Sequence, residues 1–341
     1  MKIIELYNLK GGLKSPLPSD TLWGNICWAI KYLYGDNDLT GFLDSYSTDQ
    51  PALIVSSSFP FVRQKAQTIR FFPRPILPFK PFDDIQKKNK DKPLAEKITD
   101  MSTRKDQKDI TLLDQSFFEK VIQGQADYED MPSFKLPRIV ATSITRNTID
   151  RLRGGTLEIN NTGQLFTEDE YFIQYSSGDD EKEEAETGLF FLALDKTDGK
   201  LEAALRLLSH IGIGGNRSIG KGAFDFSVND FEISEPAHPN ALINLSLYVP
   251  ADDELGYYKQ HTLLFNYQLE QRKGYYGELQ NGVYEKNPVV YFKEGAVFPL
   301  PEQQKPVYGK NITENNGAYP VHRYGIGFML KIFIDEKNYR Q

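Results

Sequence analysis

The stretch Gly212-Ile213-Gly214-Gly215-Asn216-Arg217-Ser218-Ile219-Gly220-Lys221-Gly222-Ala223-Phe224 sets five glycines within eleven positions, with Arg217 and Lys221 between them. Such a segment presents backbone N–H groups on a surface free of bulky side chains, where a phosphate backbone can approach closely. The spacing Gly215-x-x-x-x-Gly220-Lys221 imitates a P-loop, but a P-loop leaves a strand, enters a helix and carries Ser or Thr after its lysine. Gly222 holds that place here. Upstream, Leu201, Ala204, Leu205 and Leu208 recur at helical spacing. Downstream, Phe224, Phe226 and Val228 alternate with Asp225, Ser227 and Asn229, the pattern of a strand. Helix, glycine loop, strand is the reverse of the nucleotide-binding order. A helix cap needs only Gly212; the other four point to a loop that cradles a phosphate backbone.

Outward from this loop the chain reads as strand Ile3–Leu9, a helix with Leu22, Ile26, Ala29, Ile30 and Leu33 on one face, and strand Ala52–Phe59. Ser19 or Asp20 is placed to cap that helix, and Gly35 to end it. Tyr171–Tyr175 and Leu189–Leu194 read as a hairpin joined by the acidic tract 179–186, a solvated loop without the spacing of metal ligands. The helix Leu201–His210 and the strand Phe224–Ile233 follow. Strand, helix, strand, strand, helix, strand is the split β-α-β order of a ferredoxin-like or RRM-like α+β fold. The aromatic pattern by which RRM sheets stack RNA bases is missing, so the glycine loop must carry any binding.

Between the second and third strands an insertion runs from Pro60 to about Glu168, too long for an ordinary connection. It contains the proline-stiffened Phe71–Pro81, the lysines Lys87, Lys88, Lys90 and Lys92, and the basic stretch Arg146–Gly155. Residues 83–110 are a candidate thumb that orders against RNA or a neighbouring subunit. After Pro236 and Pro239 a second unit begins, with strands expected at Leu242–Val249, Leu263–Leu269, Val289–Phe292 and Ile326–Ile334 and few helical signals. The expected division is 1–235 for the first domain and 236–341 for a reduced copy of the same fold.

With 341 residues, about two domains of ~150 residues each are expected. A 40% apolar and 13% aromatic composition supplies ample core. The single cysteine, Cys27, excludes a disulfide framework and a cysteine metal cluster, and fits a reducing cytosol. Neither a signal peptide nor an apolar run of ~20 residues is present, so an intracellular, cytoplasmic protein is expected. The net charge of −7 is unevenly spread: residues 61–155 hold 19 Lys and Arg against 13 Asp and Glu. A basic working region on an acidic body fits an RNA strand at one face and protein partners at another. Tyr257, Tyr258, Tyr275 and Tyr276 are candidate contacts for such a partner.

Several ordered motifs resemble the RAMP superfamily of CRISPR proteins, and more closely subunit four of the type III-A (Csm) effector complex. They are Ser19-Asp20-Thr21-Leu22-Trp23-Gly24, Pro73-Arg74-Pro75, Ile149-Asp150-Arg151, Leu165-Phe166, Arg272-Lys273-Gly274, Glu294-Gly295 and Val321-His322-Arg323-Tyr324-Gly325. Many RAMP proteins place a histidine just before the Ser-Asp pair, where this chain has Pro18. The resemblance implies two ferredoxin-like domains and a non-catalytic cap without cofactor. Such a cap would hold the repeat-derived 5′ tag of the crRNA and dock the large polymerase-like subunit onto a filament of backbone subunits.

The residues expected at the RNA are Gly212, Gly214, Gly215, Asn216, Arg217, Ser218, Gly220, Lys221 and Gly222, with backbone N–H groups from Gly214 to Gly222 on phosphate oxygens. His210 and Ser19 flank them, and Arg70, Arg74, Arg146, Arg151 and Arg153 clamp from the insertion by bidentate phosphate contacts and base stacking. The competing reading is a metal-independent endoribonuclease of the same superfamily, with His210 as general base. Of the four histidines only His210 adjoins the loop, and no second acid stands beside it in sequence. Asp20 and Asp150 read as a helix cap and as a partner of Arg151 or Arg153, rather than as metal ligands.

Overall fold

The computed structural model describes residues 1–13, 16–48, 50–64, 67–78, 110–128, 131, 136–150, 152–159, 162–175, 185–215, 217–280, 283–315 and 320–339. It is a mixed helix and strand fold of α+β class. The candidate thumb at 83–109 and the acidic tract at 179–184 lie outside the described residues.

The main sheet is antiparallel and runs Asp225–Asp230, Lys2–Tyr7, Glu186–Asp195, Phe59–Gln64, Gln67–Pro73, Leu112–Asp114, with Leu53–Val55 also paired to Glu186–Asp195. Ile4 stands opposite Phe191 on one side and Val228 on the other. The strand after the glycine loop therefore lies beside the opening strand. The first helix spans Ser19–Tyr34 and buries Leu22, Trp23, Ile26, Ala29 and Ile30. It ends where Gly35 turns at φ +88° and donates to Lys31 O. Its N-cap is Pro18, and no side chain caps it. The expected caps, Ser19 or Asp20, are instead the first two helical residues. The helix Lys200–Ile211 packs against this one, with Leu201, Ala204, Leu205 and Leu208 inward.

Much of the expected insertion is sheet. Phe59, Phe61, Phe71 and Phe72 are buried, and the Phe72 ring lies 4.7 Å from Phe118 and 5.1 Å from Phe190. Those rings draw 59–73 into the core, and helix Gln115–Ile122 covers them through Phe117, Phe118, Val121 and Ile122. The expected hairpin of 171–175 with 189–194 does not form. Leu165–Gln174 pairs with Arg138–Asn147 along ten positions as a separate two-stranded arm, about 33 Å long at the usual rise. The partner 138–147 was hidden because both faces of the arm are largely exposed, so its apolar alternation is weak.

In the last third, Val297–Pro299, Ala241–Asn244 and Met329–Ile332 form a three-stranded sheet. The strand expected at Leu263–Leu269 is a 3₁₀ turn at Thr262–Leu264 followed by a strand at Leu269–Arg272. The turn follows the helix Asp252–Gln260 and aims Phe265 at Tyr258 and Phe298, so its apolar residues serve a bend rather than two strand faces. One buried cluster runs from Ile3 and Phe190 through Ala241, Ile243, Tyr324 and Leu330, joining the two sheets.

Candidate nucleic-acid interface

The glycine loop is held to the segment after the first strand. Gly222 N–H donates to Lys10 O at 2.9 Å and Lys10 N–H to Ala223 O at 2.8 Å, while Ile213 N–H donates to Gly222 O at 2.9 Å. Glycine is required at two points. Gly212 and Gly222 sit at φ +87° and +77°, and a Cβ on either would stand 2.3 Å from a backbone oxygen. The bonds also correct the expected phosphate contacts. The amides of Gly212, Gly220 and Gly222 are already spent on Leu208, Arg217 and Lys10. Those of Gly214 and Gly215 make no hydrogen bond among the described residues. Arg217 has no acidic partner among those residues, and His210 is exposed in the last turn of the preceding helix. Asn216 lies outside the described residues; Ser218 belongs to the 3₁₀ turn Arg217–Ile219.

Lys221 and Arg146, expected on phosphate, instead converge on an acid. The Lys221 ammonium is ion-paired with Glu170, a buried residue of the arm, and Arg146 reaches Glu170 at 2.6 Å and Glu168 at 2.6 Å. Gly12 permits this approach, since a Cβ there would stand 2.7 Å from Glu170 Cβ. Leu13 and Tyr171 exchange backbone hydrogen bonds beside it at 3.0 and 2.8 Å. A groove of about 630 Å³ opens here between Asn8–Leu13 and the root of the arm at Tyr171–Ile173.

The other expected arginines separate. Arg70 holds the buried carboxylate of Glu5 at 2.7 Å, and Arg63 reaches the same group at 2.9 Å. Arg74 lies 3.8 Å from the Tyr128 ring and donates to Ile110 O. Both are tied up in the fold by acids and rings distant in sequence. Arg153 is exposed near the tip of the arm, beside Leu152 at 99% exposure, and Asp150 accepts from the amides of both. Arg151 lies outside the described residues. Ser19 is buried: its N–H donates to Ser57 Oγ at 3.0 Å and its Oγ accepts from Leu247 N–H at 2.9 Å, so it offers no surface to RNA.

Lys10, which sequence reading passed over, is exposed beside the loop and has no acidic partner among the described residues. Its signal was the glycine pair Gly11-Gly12 directly after it. Among the described residues, the cations at the loop without an acidic partner are thus Lys10 and Arg217. No cluster of three or more His, Cys, Asp and Glu arranged for a metal ion occurs among the described residues, and no helix there is long and apolar enough to cross a membrane.

The motifs scattered along the chain meet at the seam between its halves. Asp20 Oδ2 accepts from Arg272 Nε at 2.8 Å, and the Glu294 carboxylate accepts from Ser57 Oγ. Gly295, at φ +85°, lets Arg74 O approach within 2.5 Å of where a Cβ would be. Tyr324 stacks on Trp23 at 5.6 Å and donates to Val55 O. Tyr258 is buried, and Tyr257 stacks on His261, so that pair is packing rather than a free docking surface.

The model of the RAMP superfamily matches residues 4–225, and that of the CRISPR Csm4 C-terminal domain matches residues 238–332. Comparison with curated proteins found no match. Among solved structures, a chain of the Csm1–Csm4 cassette in complex with pppApA aligns at 16% identity and TM-score 0.58, covering 98% of both chains. A chain of the Csm3–Csm4 subcomplex of the type III-A CRISPR-Cas interference complex aligns at 15% identity and TM-score 0.58, covering 98% of this chain and 100% of that one. At such identities the likeness is one of fold.

Proposed function

Because the chain belongs to the RAMP superfamily, we propose that it is the crRNA-capping subunit of a type III-A (Csm) CRISPR effector complex, in antiviral defence. In this reading it binds RNA without cutting it and joins the large polymerase-like subunit to the backbone filament. The match of residues 238–332 to the Csm4 C-terminal domain and the fold likeness along 98% of the chain support the assembly. The observation that carries the RNA role is the loop itself, where the amides of Gly214 and Gly215 and the side chain of Arg217 stand beside Lys10, which is hydrogen-bonded to the loop at Gly222 and Ala223; neither cation has an acidic partner among the described residues.

The 5′ tag then crosses the loop, its phosphates on those amides and cations. The arm, rooted beside the loop through Glu170, stands along the strand with Arg153 near its tip. His210 adds a donor at the helix end. Among the described residues it makes no hydrogen bond with a side chain.

The test presents the purified chain, and its assembly with the backbone subunit, with tag RNA and separately with repeat-containing RNA, without added metal. Tag binding without a cut is expected. Arg217→Ala with Lys10→Ala should weaken binding across sequences and lower the salt slope by about one per lost contact. A cut in the repeat that disappears in His210→Ala would overturn the reading.

A further inference from the structure

The groove between Asn8–Leu13 and the arm root holds about 630 Å³, the size of a small-ligand site. The exposed Lys10 lies in sequence between two of its lining residues, Leu9 and Gly11. The backbone N–H and C=O of Lys10 are both engaged by the loop, at Ala223 and Gly222. The N–H groups of Leu9 and Gly11 make no hydrogen bond among the described residues. Tyr171 and Phe172 of the arm root add aromatic walls. Gly12 lets the second ring lie close to the backbone, since a Cβ there would stand 2.8 Å from Phe172 Cζ.

Two side chains of the lining, Asn8 and Glu186, offer acceptors. Asn8 sits at φ +51°, in the left-handed region that non-glycine residues seldom adopt, and its Nδ2 donates to Asp225 Oδ2 at 2.8 Å. With the amide fixed in that sense, Oδ1 is its open acceptor. Glu186 gives Oε2 to Arg63 Nη1, and its other oxygen has no partner among the described residues. The Glu186 side chain is 33% exposed, and Arg63 offsets its charge. Acceptors on side chains, donors on the backbone and flat apolar walls thus border one space.

We infer that this groove takes one unstacked adenine or cytosine of the RNA strand whose phosphate lies on Lys10. The inference rests on the function proposed above. A base pulled out of its stack is apolar on its faces and polar along its edge, and the walls and the bordering groups meet these in turn. Its exocyclic amino group donates to Glu186 and Asn8, and the ring nitrogen beside it accepts from the backbone N–H groups at Leu9 and Gly11. Adenine and cytosine carry that pair of groups side by side. Uracil and guanine set a carbonyl beside a ring N–H, so each would meet acceptor with acceptor and donor with donor.

The test measures the affinity of the full chain, alone and assembled with the backbone subunit, for tag RNA made abasic at each nucleotide in turn, every phosphate kept. Removing the base at one adenosine or cytidine should weaken wild-type binding about tenfold, the worth of a stacked base, and leave the salt slope unchanged. Uridine at that position should cost as much. Phe172→Ala should bind the intact tag about tenfold more weakly and the abasic tag as wild type does. In Glu186→Gln the amide oxygen stays on Arg63, a donor only, so the amide NH₂ faces the groove and the preference should turn toward uridine. Circular dichroism and thermal melting confirm folding; should Glu186→Gln not fold, Phe172→Ala decides. Binding indifferent to every abasic position overturns the inference and leaves the loop's hold on phosphate standing. A sensitive base that is guanine or uracil, or one whose loss counts equally in wild type and both variants, overturns it as well. A wild-type chain that binds no tag RNA, alone or assembled, overturns the proposed function with it.

Discussion

Asp20 Oδ2 accepts a hydrogen bond from Arg272 Nε at 2.8 Å, joining the start of the first helix to a strand of the last third. The two side chains are 21% and 27% exposed, and Arg272 also reaches Glu270 at 3.2 Å. A partly buried pair with a second acceptor lies between exposed pairs, worth less than about 1 kcal/mol, and buried ones, whose breaking costs about 3–5 kcal/mol. Asp20→Asn and Arg272→Gln should therefore each lower stability by about 1–2 kcal/mol. The double variant should cost less than their sum by about 1 kcal/mol. Urea unfolding of the three variants decides it; strictly additive losses would mean that the pair does not couple the halves.

Lys221 is expected to act on the arm rather than on phosphate. Its ion pair with the buried Glu170, shared with Arg146, fixes the arm root against Gly12. Removing either cation leaves Glu170 with less compensation in a dry site. Lys221→Ala and Glu170→Gln should both raise hydrogen exchange across 138–147 and 165–174, and Arg217→Ala should not. In RNA binding the order should reverse, with Arg217→Ala reducing the salt slope and Glu170→Gln leaving it unchanged. Equal salt-slope losses from Lys221→Ala and Arg217→Ala would return Lys221 to the phosphate.

These two pairs show what the sequence hides. The helix before the glycine loop was legible because Leu201, Ala204, Leu205 and Leu208 report one buried face within twelve residues. The loop was legible because only glycine fits φ near +80° with an oxygen 2.3 Å from the missing Cβ. Which arginines remain available to a ligand was not, because their partners are distant in sequence: Glu5 for Arg70, Glu170 for Lys221 and Arg146, the Tyr128 ring for Arg74. Sequence counts cations; only the fold shows which are already neutralised. Tyr258 erred the other way, its ring enclosed by Phe265 and Phe298 while its neighbour pattern resembled an exposed pair.

Glu294 should give the seam a measurable pH dependence. Burial pushes its carboxyl above the usual carboxylate range, against the opposing effect of the Ser57 hydroxyl. A carboxyl that holds its proton more tightly when folded than when unfolded costs stability as pH rises from its unfolded value through its folded one. Glu294→Gln keeps an acceptor for Ser57 without a proton to lose. The stability of this variant relative to wild type should be constant below about pH 4.3, the unperturbed glutamate value, and shift in its favour as pH rises above it. Unfolding free energies of both proteins across pH 4–8 test this; a difference that moves toward wild type would show a carboxylate stabilised by the seam.

Gly222 and Gly24 make opposite predictions from the same substitution. At Gly222 alanine meets φ +77° and the Ile213 carbonyl oxygen 2.3 Å from its Cβ, while Gly222 N–H must keep its bond to Lys10. Backbone must move, and with it the turn that carries Gly214, Gly215 and Arg217. Gly222→Ala should cost about 2–3 kcal/mol, the range of strained sites of this kind, and abolish measurable tag binding. Gly24 lies inside the first helix with nothing within 4 Å of an added Cβ. There alanine should stabilise by about 0.5–1 kcal/mol through helix propensity alone, and leave tag binding untouched. Melting and tag-binding measurements on the two variants separate a glycine demanded by the loop from one the helix merely tolerates. Tag binding preserved in Gly222→Ala would mean that the loop does not position the RNA.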